Sequence, residues 1–127
     1  MYSKSEVIRN MRIFVSKLLE TNSLKSPMIA FAAPIISRIV DNKLGELEKC
    51  LNAIATPEGL IDVHNIIPEM VDNVMKCEPF IINTSFIGDI EIGGGFIKLN
   101  IPFVNKDLVL NRSDIELFRD IMLNKNQ

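Results

Sequence analysis

Between Ser26 and Val40 the chain reads SPMIAFAAPIISRIV, and from Pro27 to Ile36 no side chain carries a charge or a hydrogen-bonding group. A surface helix keeps one polar face, whereas a helix apolar all round must be covered on every side or sit in a membrane. The run is interrupted by Pro34 and falls well short of the roughly 20 residues a bilayer requires. A buried central element and no membrane span are therefore expected. Its cover would come from the flanking helices, from a second copy of the chain, or from both.

Local signals set the ends of this element. Ser26 suits an N-cap, and Pro27 suits the first helical position, where its missing amide would be unpaired in any case. Pro34 should remove the bond to the Ala30 carbonyl and kink or split the helix. Ala30, Ala32 and Ala33 are small enough to let a neighbouring backbone approach closely. Asp41-Asn42 is expected to close the segment.

The flanking stretches offer cover. Ser3-Lys4-Ser5-Glu6 has capping-box spacing, and Val7, Met11, Phe14, Val15 and Leu18 follow on one helical face that should end near Thr21–Asn22. A helix from Lys43 to about Ile54 carries Leu44, Leu47, Leu51 and Ile54 on one stripe. After the turn Thr56-Pro57-Glu58-Gly59 comes the cleanest stripe of the chain: Val63, Ile66, Ile67, Met70, Val71, Val74 and Met75. Pro68 leaves two starts open there, one near Asn65 or Ile67 and one at Asp62 with a bend.

After Pro79 the apolar period drops to 2. Phe86, Gly88, Ile90 and Ile92 alternate with Ile87, Asp89 and Glu91, and Ile97, Leu99, Ile101 and Phe103 with Lys98, Asn100 and Pro102, around Gly93-Gly94-Gly95, which predicts a β-hairpin. Opposed residues share a face, so two registers fit: a two-residue loop at Gly93-Gly94 pairing Ile90 with Ile97 and Asp89 with Lys98, or a four-residue loop, Gly93 to Phe96, pairing Ile92 with Ile97 and Glu91 with Lys98. Phe80–Asn83 and Leu108–Leu110 are flanking strand candidates, and Pro102 marks an edge or strand end. Ser113-Asp114-Ile115-Glu116 has capping-box spacing before an amphipathic helix containing Ile115, Leu117, Phe118, Ile121 and Met122. The predicted architecture is one α+β domain over residues 1–127. It has an N-terminal bundle of about four helices (1–78), a small antiparallel sheet around the hairpin, and one C-terminal helix (79–127).

Chemistry-bearing motifs are sparse. The Thr56–Asn65 stretch has the outline of a calcium loop, but Ile54 would fall at the first ligand position and Asn65 where a bidentate glutamate belongs. His64 is the only histidine, without a partner to make it a base. One His and the distant Cys50 and Cys77 match no zinc spacing. The triple glycine lacks the helix and the Gly-Lys-Ser/Thr ending of a phosphate loop and reads as a flexible hairpin turn. Asp89 and Glu91 read as the solvated side of the hairpin, balanced by Lys98. No catalytic, metal or cofactor site is expected.

Composition narrows the function classes. A formal net charge of −2 makes no strong case for nucleic acid, which needs a basic face. The stretch Met1 to Arg12 has no apolar core of a secretion signal, so Cys50 and Cys77 are expected as free, buried thiols in the cytoplasm. A mean hydropathy of +0.20 suggests more apolar surface than one protomer hides. The expected function is a non-enzymatic protein–protein interaction or assembly module, self-associating or binding another protein. Its candidate interface is Met28, Phe31, Ala32, Ile35, Phe96 and Phe103. Size and composition would also fit an accessory or structural protein of a phage or mobile element. A small-molecule binder or small enzyme with a pocket between helices and sheet is the alternative, and a nucleic-acid-associated regulator ranks below it. An aspartate replacing Phe31 is expected to abolish folding or assembly, for want of water to solvate it.

Overall fold

A computed structural model describes residues 1–84, 88–101 and 106–124, and shows the mixed α+β architecture. In chain order the elements are β1 (Tyr2–Ser3), α1 (Lys4–Lys25), α2 (Pro27–Cys50), a 3-10 turn (Leu51–Ala53), β2 (Leu60–Ile61) and α3 (Val63–Lys76). They are followed by β3 (Phe80–Asn83), β4 (Asp89–Gly93), β5 (Phe96–Ile101), β6 (Lys106–Leu110) and α4 (Arg112–Met122). β1 pairs antiparallel with β2, and β3-β4-β5-β6 form a second antiparallel sheet in that order.

The central helix is α1. It lies against α2 along one side and α4 along another, and α4 in turn packs on α3. Two neighbours explain why α1 buries Ile8 and Leu19 as well as Val7, Phe14 and Leu18. Ser3 caps its start, accepting from the Glu6 amide at 3.2 Å. The helix runs three residues past Asn22 to Lys25 because the Ser26 amide still reaches the Asn22 carbonyl. Ser26, itself buried, then caps α2 by accepting from the Ile29 amide. One residue thus ends one helix and begins the next, which makes α1 and α2 an αα-hairpin.

The two helices expected over 26–40 and 43–54 are a single helix. α2 passes through Pro34 and through Asp41-Asn42 without a break. Pro34 and Ala30 both lie on the exposed side, so water can satisfy the carbonyl that the proline leaves unpaired. Asp41 does not close the helix; its carboxylate meets Arg12 of α1 at 3.2 Å. α3 starts at Val63 with Asp62 in the cap position, the earlier of the two expected starts.

The hairpin adopts the register pairing Ile92 with Ile97 and Glu91 with Lys98. Gly93 pairs with Phe96, which shortens the four-residue loop expected with this register to the two-residue turn Gly94-Gly95, with φ of 62° and 86°. Those are type I′ values, open to glycine without strain. The turn is docked rather than flexible. The Gly94 amide donates to the Cys77 carbonyl at 2.8 Å and the Gly95 amide to the Val74 carbonyl at 3.1 Å. These are carbonyls at the C-terminal end of α3, which have no partner within the helix. The docked sheet turns Leu108 and Leu110 into the core, with Ile97 and Leu99 packed against it. The last cap lies two residues upstream of the expected one: Asn111 accepts from the Asp114 amide and Asp114 from the Asn111 amide. Asparagine fills the role as well as serine. Phe14 and Phe118 meet edge to face at 5.2 Å between ring centroids, joining α1 to α4.

Two glycines should respond in opposite directions to alanine. A Cβ on Gly93 would stand 2.8 Å from the Glu78 oxygen and the Pro79 Cα, at a φ of 132°. Gly93→Ala should lower stability by at least about 1–3 kcal/mol in urea titrations. Gly45 lies within α2 with nothing near its added Cβ, so Gly45→Ala should raise stability by about 0.5–1 kcal/mol. In the core, the Asn10 Nδ2 is buried without a hydrogen-bond partner among the described residues. Asn10→Leu, similar in branching, should add about 1 kcal/mol by removing that desolvated amide.

Candidate interaction surface

The apolar stretch that begins α2 is covered on one side only. Ile29 and Ala32 are buried, and Ile36 and Val40 pack against the core. The opposite side faces solvent with Pro27, Met28, Ala30, Phe31, Pro34 and Ile35, none of which is polar. Phe31 is 82% exposed, while Met28 and Ile35 are about half exposed. The expected burial on all sides fails because α1 is the main element packed along α2 and can screen only one face of a helix. Leu24, in the last turn of α1, adds an 86% exposed side chain beside the helix corner.

Met28, Phe31 and Ile35 stand at i, i+3 and i+7, the spacing of one helical stripe. With Leu24 they leave on the order of 500 Å² of apolar surface, toward the upper end for the largest patch on a monomeric protein. Arg38 and Asn42, also exposed, take over the same line farther along α2, so the patch ends after two turns. Among the other expected interface residues, Ala32 is a correction. At 1% exposure it belongs to the α1–α2 contact, since it falls on the Ile29 side of the helix. Phe96 is half-buried beside the hairpin turn. Phe103 lies outside the described residues. Leu24, Pro27, Ala30 and Pro34 were not among the expected residues, although the unbroken apolar run pointed at the last three.

Elsewhere the chemistry is thin. An open hollow of about 460 Å³ on the outer sheet face is bordered by Ile81, Asp89, Glu91, Lys98, Asn100 and Asp107. Lys98 meets Asp107 at 3.5 Å, and Asn100 donates to the same carboxylate group at 3.1 Å. Lys98 stands opposite Glu91 in the register, as the sequence had suggested, and also meets Asp107 on the neighbouring strand. A cavity of about 200 Å³ lies between helices and sheet, lined only by apolar side chains that include Phe14, Met70, Val74 and Phe118. Exposed His64 stacks edge-on against Tyr2 at 5.8 Å. Asp62 accepts from the Asn65 side chain. Both cysteines are free, and Cys50, expected to be buried, is exposed at the C-terminal end of α2. Among the described residues no group of three or more His, Cys, Asp or Glu is placed to hold a metal ion, and no helix is long and apolar enough to cross a membrane.

Comparison with protein-family models, with curated proteins and with solved structures returns no match.

Proposed function

We propose that this chain is a non-enzymatic interaction module that associates with a second copy of itself through the exposed face of α2. The observation that carries the reading is Phe31, a phenyl ring turned to solvent at the middle of a helix face without a polar side chain. An aromatic ring ringed by aliphatic neighbours is the usual anchor of a protein interface. Ala30 beside it is small enough to admit a facing helix closely. Two such patches meeting would supply the apolar centre of an interface of roughly 800 Å² per partner, with the polar remainder of α2 and the end of α1 as rim. A lipid surface is the poorer occupant, because surface-seeking helices carry a strongly basic polar face and α2 instead buries its other side on α1. Free Cys50 and Cys77 support placement in the reducing cytoplasm.

Phe31→Asp tests the reading. With Phe31 so exposed, the variant should fold, its stability staying within about 0.5 kcal/mol of the parent protein. In sedimentation velocity the parent should run as an oligomer at high micromolar concentration and Phe31→Asp as a smaller species. A parent protein that is monomeric throughout would sink the proposal.

The apolar cavity favours a second reading, binding of a small hydrocarbon-like ligand. A closed apolar cavity of about 150 Å³ is enough to take benzene, and this one, open to solvent beside Met70, has comparable room. Benzene at ten times its dissociation constant would add about 1.4 kcal/mol of stability, a rise in melting temperature on the order of 5 °C. No shift at saturating benzene would remove this reading.

A further inference from the structure

The two edges of the four-stranded sheet are unlike. β6 carries exposed Asp107, a charge of the kind that discourages edge-to-edge pairing. β3 reads Phe-Ile-Ile-Asn, has no charge, and is exposed along its whole length, Ile81 at 65%. It is apolar on both faces, since Phe80 and Ile82 lie on one side of the sheet and Ile81 on the other.

The register shows which backbone groups of β3 turn away from β4 and lack a partner among the described residues. Gly93 and Phe96 close the hairpin as a hydrogen-bonded pair, so Gly93, Glu91 and Asp89 turn their amides toward β5, and Ile92 and Ile90 turn theirs toward β3. Their partners Phe80 and Ile82 face inward, as does Thr84, whose amide donates to the Gly88 carbonyl. Ile81 and Asn83 therefore point N–H and C=O outward, away from the sheet. Pro79 has the same parity but no N–H to offer.

We infer that β3 pairs antiparallel with β3 of a second copy about a two-fold axis, joining two sheets into one of eight strands. Among the described residues, one register uses every outward donor and acceptor of Ile81 and Asn83. It sets Ile81 opposite Asn83 of the copy, twice, with Ile82 opposite its own counterpart on the axis. Centring on Ile81 instead would place Asn83 against Pro79 and lose bonds. In the favoured register no charge opposes a like charge, and Phe80 and Ile82 of the two copies cover one another. The contact is isologous, as a two-fold requires, and it does not depend on the α2 contact. With both contacts each copy would carry two two-fold interfaces, and growth beyond the dimer, to a closed tetramer or an open chain, would follow.

Disulfide trapping tests the register. Facing residues of a non-hydrogen-bonded antiparallel pair stand about 4.5 Å apart at Cα, within the span of a disulfide. In the full chain with Cys50→Ser and Cys77→Ser, Ile82→Cys should form a covalent dimer under mild oxidation. Ile81→Cys alone should not, whereas Ile81→Cys mixed with Asn83→Cys should. Adding Ile81→Pro, which removes only an outward N–H, should reduce the Ile82→Cys dimer at least tenfold while the circular dichroism stays unchanged. Adding Phe31→Asp should leave the Ile82→Cys dimer intact, which separates this contact from that of α2. An Ile82→Cys protein that stays uncrosslinked, or an Ile81→Cys protein that crosslinks as readily, would overturn the inference.

Discussion

The packing of α1 between α2 and α4 is the contact on which the rest of the structure depends. Val7, Ile8, Phe14, Leu18 and Leu19 spread over more of the helix circumference than a single-faced helix buries. That spread lets one helix serve both the αα-hairpin and the layer carrying α3, α4 and the sheet. Burial of large apolar side chains contributes roughly 1.5–3 kcal/mol each, so this cluster supplies much of the gross stabilisation. The surface ion pairs, such as Arg12–Asp41, are exposed and contribute little beside it.

The second constraint is the glycine turn on the end of α3. Its two amides satisfy carbonyls that the helix leaves open, and Gly93 lets the strand pass against the backbone at Glu78 and Pro79. That contact orients the sheet so that Ile97, Leu99, Leu108 and Leu110 meet the helices. It also leaves β3 at the far edge, where Phe80 and Ile82 lie on the inner face of the sheet and yet remain exposed. An uncovered edge is thus a consequence of how the hairpin docks.

Two apolar surfaces remain outside a single protomer, and they differ in kind. The α2 face offers side-chain area without hydrogen-bonding groups, whereas the β3 edge offers backbone donors and acceptors flanked by apolar side chains. The association proposed between copies of the chain would use the first through burial of area and the second through register. The cavity at Phe14 and Phe118 is lined by apolar side chains among the described residues.

Periodicity and local capping were legible in the amino-acid sequence: the stripes of α1, α3 and α4, the helix start at Ser3, the hairpin, its register to within two choices, and the flanking strands β3 and β6. These rest on side chains within a few residues of one another. Residues 27–36 were legible as apolar on every side, which marked Met28, Phe31 and Ile35 as needing cover. Which side receives it could not be read there, because cover is supplied by elements distant in the chain. Only the tertiary structure assigned Ile29 and Ala32 to α1 and left Phe31 in solvent. It also decided that α2 continues past Pro34, since the exposed Ala30 carbonyl can turn to water. The sequence alone determined that this stretch is apolar all round; the packing of α1, with room along it for one face of α2, decided that half of that surface stays open.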